Sequence, residues 1–424
     1  MDKQKFLDSL LGLISIESVA LTDVSAEYPY GTAPAKALDY VLALCAELGI
    51  RTVNRDGRIA WAEIGEGDEI VGILAHLDVV PVGDGWQHDP KGEICGDRLY
   101  GRGAVDDKGP LLAALFAMKE LQDSGRPLSR RVRLIFGQCE EVGEWEDMQY
   151  YVNNEELPVF GFTPDADFPA IYGEKGILHY ELRMPREKSG LVEVSGGDAA
   201  NMVPGWAKAT FIDELGRPVS LSCEGKNAHA SLPEQGCNAI GRLMAMLEAL
   251  GTDAPLVKFW NEHLGMDYNG KQMGCAFTDE QSGALTLNAG VIRTEGDTVS
   301  MLLDIRNPVT NTESAVRAAI EKACAPYGIT VSVAHEQKPV YMDKNGRIIT
   351  AMIEEYRAVT GDASEPKVIG GGTYARAMPG IVAFGPMQPG RECTEHQRDE
   401  YILIDDLFTA EEIYRRVIEK LANL

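Results

Sequence analysis

The sequence is short of positive charge. Its 40 lysines and arginines stand against 65 aspartates and glutamates, a formal net charge of −25 over 424 residues. Such a surface repels phosphate backbones and anionic bilayers, so neither nucleic acid nor membrane is expected as a partner. Long apolar runs are missing too. The stretch over residues 10–16 is far below the ~18 residues of a membrane span. Phe6, Leu10 and Ile14 recur at helical spacing there, and no small-residue cleavage site follows, so the start reads as an amphipathic helix rather than a signal peptide. The eight cysteines, at 45, 95, 139, 223, 237, 275, 324 and 393, form no CxxC pair, which leaves a thiolate zinc ribbon or a thioredoxin-type site unsupported. Scattered cysteines without an export signal read as reduced thiols in a cytoplasmic protein. No GxGxxG opens a strand–helix–strand unit, and Lys108 is not in a GxxxxGK[ST] frame, so nucleotide chemistry has no motif to stand on.

What the chain does have is a 45% hydrophobic content, enough for a large core and two or three domains. Helical periodicity runs over 36–48 and 110–124. Apolar strand patterns cover 59–64, 69–74 and 131–136. That alternation predicts an α/β domain with a mostly parallel sheet, whose ligands bind beyond the carboxyl ends of the strands. After Gly176 the rhythm changes. Strand patterns at 177–184, 192–195, 208–213 and 219–224 lead to a helix at 238–250. Strand patterns at 284–292 and 298–305 then lead to a helix at 312–327, and 330–336 closes the series. Two strand sets, each followed by a helix, suggest a duplicated α+β unit, with 251–282 the least regular part. Helix 346–359, strand 367–370 and helix 409–424 return to the first pattern. The expectation is a catalytic domain over 1–176 and 339–424, interrupted by a domain over 177–338.

Polar clusters fall at the ends of these elements. His76 follows the apolar strand, and Asp78, two residues on, points the same way along extended backbone. It can accept the second ring N–H and fix the tautomer of a metal-binding imidazole. Asp106 and Asp107 lie in the Gly-rich turn 101–110, where they are either oxygen ligands or an acidic helix start. Glu140 and Glu141 directly follow a buried strand; adjacent carboxylates there diverge, so one can bind metal while its neighbour acts as a base. Asp165 and His396 are weak signals alone. Together the order H…D…EE…D…H offers a mixed nitrogen and oxygen donor set suited to Zn²⁺, Co²⁺ or Mn²⁺. A metal pair requires a carboxylate that bridges ~3.5–4 Å.

These residues resemble the M20 family of dinuclear metallopeptidases, and within it the bacterial PepV-like dipeptidase branch. The matching stretches are AHLDVVPVGDGW (75–86), GRGAVDDKGP (101–110), GQCEEVGE (137–144), FTPDADFPAIYGEKG (162–176), ANMVPG (200–205), GKNAHASLPEQGCNA (225–239), DIRNP (304–308), GGGTYAR (370–376) and EHQRDEYI (395–402). The resemblance implies a zinc-peptidase-like α/β/α catalytic domain with an inserted α+β lid. It implies two divalent metal ions per chain, zinc first, with manganese or cobalt as alternatives. His76, Asp106, Glu141, Asp165 and His396 resemble the metal ligands, with Asp106 bridging and its bond to Asp107 cis. Asp78 resembles the partner orienting His76, and Glu140 the general base. In the insert, His229 resembles the histidine that stabilises the oxyanion, and Asn201 and Arg306 the residues that bind substrate polar groups. Gly371, Gly372 and Thr373 offer close backbone approach to the C-terminal end of a small peptide substrate.

The activity implied is hydrolysis of unblocked dipeptides. An N-acyl-amino-acid deacylase or tripeptidase of the same family is the near alternative, and a non-catalytic metal-stabilised binding protein the distant one. Many relatives take the histidine equivalent to His229 from a partner subunit; the long, duplicated insert here implies a monomer that supplies its own. His88, His179, His263 and His335 lie outside the motifs and are expected in packing or surface roles, as are Asp167, Glu144 and Glu146.

Overall fold

The computed structural model describes every residue except Glu144, so the expectation for that side chain lies outside the described residues. The chain forms two compact units. One comprises residues 1–172, 342–367 and 373–424, the other 173–341 and 368–372.

The first unit is built on a mixed sheet in the order Arg51–Asn54, Ala60–Ile64, Arg131–Gly137, Ile70–His76, Phe160–Thr163, Ile381–Ala383, then Ile171–Glu174, in which the chain leaves the unit. The central strands Arg131–Gly137, Ile70–His76, Phe160–Thr163 and Ile381–Ala383 run parallel, and the outer pairs antiparallel. All seven residues of Ile70–His76 are buried, as its nearly unbroken apolar run requires of a strand covered on both faces. Helices Lys108–Ser124 and Ile404–Ala422 pack together and against the strand Ile70–His76. Phe6, from Lys3–Ile14, wedges between them with ring centroids 5.2 Å from Phe116 and 5.8 Å from Phe408. The last helix starts at Ile404, five residues before the apolar periodicity becomes visible. Asp405 and Asp406 occupy its first turn, where carboxylates favour the helix dipole, and Arg391 grips Asp406 at 2.7 and 2.9 Å.

The second unit carries one seven-stranded antiparallel sheet in the order Pro218–Glu224, Trp206–Ile212, Glu193–Gly196, Thr286–Glu295, Thr298–Asn307, Gly176–Pro185, Thr330–Gln337. Leu178, Tyr180, Leu182 and Met184 alternate into its core with Leu303 and Ile305, while Arg183 faces solvent, the pattern of a sheet covered on one side. Helix Ala239–Ala249 lies on the strands Trp206–Ile212 and Pro218–Glu224, and Glu313–Cys324 on Thr330–Gln337. The stretch expected to be least regular holds a further helix, Pro255–His263, whose Leu256, Val257, Phe259 and Trp260 join the same core. At nine residues, opened by proline, it is too short to show its period. Residues 368–372, expected with the last catalytic segment, group instead with this second unit. Arg306 Nη1 donates to the Gly370 carbonyl at 2.9 Å, and the Lys175 N–H to that of Ile369 at 3.0 Å.

Candidate metal centre

Three parallel neighbours deliver the first cluster. The strand Ile70–His76 ends on His76, which pairs with Gly137 at the end of the next strand. Glu140 and Glu141 follow Gly137 directly, and Asp165 follows Phe160–Thr163 on the other side. The sheet alone therefore brings four of the expected residues to one edge, at the carboxyl ends of its strands. Asp106 arrives from the turn before Lys108–Ser124, and His396 from the loop before Tyr401–Leu403.

Asp106 lies between the two imidazoles. Its Oδ1 is 2.8 Å from His76 Nε2 and its Oδ2 is 2.9 Å from His396 Nε2. His396 Nε2 also lies 3.1 Å from the Glu141 carboxylate, and His76 Nε2 3.8 Å from Asp165 Oδ2. His76 Nδ1 is 3.0 Å from the Asp78 carbonyl oxygen, which only accepts, so Nδ1 carries a proton and the ring presents Nε2 to the cluster. His76 Nε2 and Asp106 Oδ1 are both buried and form no directed hydrogen bond, though they face each other. Candidate ligand atoms group as His76, Glu140, Asp165 and as His76, Asp106, Glu141, each set within 4.8 Å. The peptide between Asp106 and Asp107 is cis, as the resemblance implies, and His396 has a left-handed φ of 61°.

The charges explain what this arrangement calls for. Four largely buried carboxylates (Asp106, Glu140, Glu141, Asp165) meet two imidazoles. Burial raises Glu140, Glu141 and Asp165 above the usual carboxylate range, and the Asp106 charge adds to each. Burial pushes Asp106 the same way, but its two histidine contacts overcome that and hold it low. Burial alone would lower both histidines. Asp106 and Asp78 instead raise His76, and Asp106 and Glu141 push His396 up to about 11. Divalent cations would relieve this surplus of negative charge, and the nitrogen and oxygen donors suit Zn²⁺, Mn²⁺ or Co²⁺.

One expectation changes. The sequence directs the Asp78 carboxylate to the His76 ring; its Oδ1 is 3.5 Å from Nδ1, and the Asp78 carbonyl oxygen, at 3.0 Å, holds the ring more closely. The carboxylate accepts the backbone N–H groups of Glu140 at 3.0 Å and Glu141 at 3.1 Å. Those donors lie across the strand junction and pull the side chain away from the imidazole. Three further buried acids act alike, and the sequence reading missed these roles. Asp147 accepts the N–H groups of Gln138 and Cys139 at 2.6 and 3.2 Å and the Tyr374 hydroxyl at 2.7 Å. A Cβ at Gly137 would stand 2.7 Å from Tyr374 Cζ, so glycine lets this ring in. Asp107 accepts the His76 N–H at 3.1 Å, and Glu400 accepts from the turn carrying Asp106. Nothing local in the sequence distinguishes such acids from solvated ones.

Of the remaining expected residues, Thr373 belongs to the first unit, where its hydroxyl caps the turn Tyr374–Arg376 through the Ala375 N–H at 3.1 Å. Asn201, His229, Arg306, Gly371 and Gly372 belong to the second unit. His229 Nδ1 lies 2.7 Å from the Ser231 hydroxyl and 3.2 Å from the Ser231 N–H. Asn201 is exposed, and its carbonyl takes the Ala230 N–H at 2.9 Å. Arg306 is 4% exposed; its fork grips Asp304 through two contacts of 2.8 Å, and its third nitrogen holds Gly370. An added Cβ at Gly371 would meet only Ile369 Cδ1, at 3.7 Å, so packing within this chain does not require glycine there. The other histidines pack as expected: His88 stacks on Tyr100, His179 contacts Asp304 at 2.9 Å and lies beside His335, and His263 packs on Phe259 and Tyr327. Asp167 pairs with Lys367 at 2.6 Å, and Glu146 is exposed at a helix start.

Known proteins align with this architecture. A model of the peptidase family M20/M25/M40 matches residues 72–420. A Bacillus subtilis (strain 168) protein named "Putative dipeptidase YtjP" is 37% identical over 430 residues, covering 93% of this chain and 92% of its own. "Putative dipeptidase SH1171" of Staphylococcus haemolyticus is 35% identical, covering 98% and 97%. Among solved structures, an M20 family metallo-carboxypeptidase, Sso-CP2 from Sulfolobus solfataricus, shares the fold with a TM-score of 0.64 at 20% identity, each chain covered in full. Matched by the family model over most of its length and by relatives more than 30% identical nearly end to end, the chain belongs to the M20 family of peptidases.

Proposed function

We propose that the chain is a two-metal dipeptidase of the PepV-like branch that hydrolyses unblocked dipeptides. The observation that carries the metal pair is Asp106, whose two oxygens face two different imidazoles, the arrangement a bridging carboxylate needs. His76 and Asp165 would serve one cation and His396 and Glu141 the other, with Asp106 shared. When bound, such a pair supplies Lewis acidity to the scissile carbonyl and lowers the pKa of the attacking water. Glu140 takes the proton of that water and returns it to the leaving amine, a role suited to a carboxyl that burial raises above the usual carboxylate range. The Trp145 indole donates to the Glu140 carbonyl at 2.9 Å and Asp78 accepts its N–H, so the backbone beneath the base is pinned on both sides. His229 is assigned to the oxyanion on its motif, a role that calls for an imidazole N–H as the donor. Asn201, Arg306, Gly371, Gly372 and Thr373 are assigned to substrate recognition. The Arg306 fork is committed to Asp304, so we assign it a role through its remaining N–H groups.

The second unit is read as a duplicated lid, with helices Ala239–Ala249 and Glu313–Cys324 on opposite ends of one sheet, and the enzyme as a cytoplasmic monomer. All eight cysteines are free thiols, and among the described residues no helix is long and apolar enough to cross a membrane. Glu140→Ala tests the mechanism. Hydrolysis should fall by about 10²–10⁴-fold with metal content unchanged, and retained hydrolysis rejects Glu140 as base. Free dipeptides compared with N-acetylated amino acids and tripeptides, after reconstitution with Zn²⁺, Mn²⁺ or Co²⁺, separate the dipeptidase from a deacylase or tripeptidase. Activity restored by mixing His229→Ala with Glu140→Ala chains rejects the monomer.

A further inference from the structure

We infer that Glu400 is a positioning residue that locks the two loops bearing Asp106 and His396 into one register, and so sets how tightly the cation pair is held. This rests on the metal site proposed above. The argument begins with a small sheet. Strand Arg98–Tyr100 pairs antiparallel with Tyr401–Leu403, with Tyr100 opposite Tyr401. Continuing that register sets Gly101 against Glu400, and the Gly101 N–H donates to the Glu400 carbonyl at 3.0 Å. Beyond this point a regular ladder stops, because the turn to Asp106 curls away. The Glu400 side chain takes over. Its Oε1 accepts the N–H groups of Gly103 at 3.1 Å and Val105 at 2.9 Å, with that of Asp106 at 3.4 Å, and its Oε2 accepts from Arg102 Nη1 at 2.6 Å.

One fully buried carboxylate thus gathers the backbone donors of a turn nearly 300 residues away in sequence. Neither ligand loop is a regular element, so neither holds its shape unaided. Asp106 lies six residues after Tyr100, and His396 five before Tyr401. An error of one residue, or a loosening of the turn, would separate Asp106 Oδ2 from His396 Nε2, now 2.9 Å apart. Glutamine cannot substitute. Either its amide NH₂ faces Arg102 or it faces the turn's N–H groups, and donor meets donor in both orientations. Aspartate keeps the charge but is one methylene short of the turn.

The test is metal affinity, read by competition of chelator-stripped full-length protein against a chromogenic chelator for Zn²⁺ and Mn²⁺. Glu400→Gln should raise the dissociation constant of the weaker-held cation by about 10–100-fold, as removal of outer partners of metal ligands does. Glu400→Asp should fall between it and wild type. Phe6→Ala serves as a control that destabilises the same unit without touching the turn, and it should keep wild-type affinity. Wild-type affinity in Glu400→Gln, or equal losses in Glu400→Gln and Phe6→Ala, overturns the inference while leaving the metal site standing. A wild-type protein that takes up neither metal overturns both.

Discussion

Replacing Asp78 by asparagine separates two accounts of the same residue. If Asp78 acted by holding the His76 ring, its loss would free the imidazole. The geometry assigns that task to the Asp78 backbone carbonyl, which asparagine keeps. What asparagine loses is half of a buried carboxylate that accepts the N–H groups of Glu140 and Glu141. One charge-assisted bond becomes an amide facing an N–H donor. A hydrogen bond to a charged group contributes about 1.5–3 kcal/mol, which corresponds to about 10–150-fold at 1.4 kcal/mol per tenfold. The loss falls on the backbone beneath Glu140, so kcat should drop within that range at saturating metal while KM stays within about threefold. Steady-state kinetics on a free dipeptide, with metal content measured alongside, reads both. A wild-type kcat refutes the reasoning. So does a deficit that excess metal restores, because the carboxylate would then be acting on a ligand rather than on the base.

Phe6→Ala removes a ring packed edge-on against Phe116 and Phe408 in a fully buried site and should destabilise the first unit by about 3–5 kcal/mol, read as a lower urea midpoint for that unit. Glu411 is buried, and burial lifts it to about 7 against the pull of Arg415. Its folded state holds a proton that the unfolded chain releases near pH 4.5, so its stabilisation is present below pH 4.5 and lost as pH rises to 7. Glu411→Gln should therefore raise the melting temperature at pH 8 more than at pH 4.5, and a pH-independent shift would contradict the assignment.

The sequence exposed whatever is local or periodic. The apolar run ending at His76, the acid pair after Arg131–Gly137 and the helix after Asp106 were all legible, because burial on both faces and helical spacing leave a short-range mark. With the motif resemblance, that sufficed to name the residues that gather around Asp106. The acids behind them were not legible. Asp147 and Glu400 owe their roles to backbone donors that only the folded chain brings to them, and in sequence they look like ordinary surface charges. Arg306 is legible from its motif, but its pairing with Asp304, two residues away on the same face of the strand, appears only in the folded chain. The helix Pro255–His263 escaped for a simpler reason: two and a half turns do not show a period.

The interruption of the first unit has a consequence for its birth on the ribosome. Synthesis proceeds from the N-terminus, and folding follows it. Through Tyr172 the nascent chain holds His76, Asp106, Glu140, Glu141 and Asp165, but not the strand Ile381–Ala383 that pairs with Phe160–Thr163, nor His396. Every strand of the seven-stranded sheet is then translated, through Gln337, before either arrives. The part begun first is completed last, and a nascent chain cannot assemble its full set of metal ligands until the intervening unit has already been made.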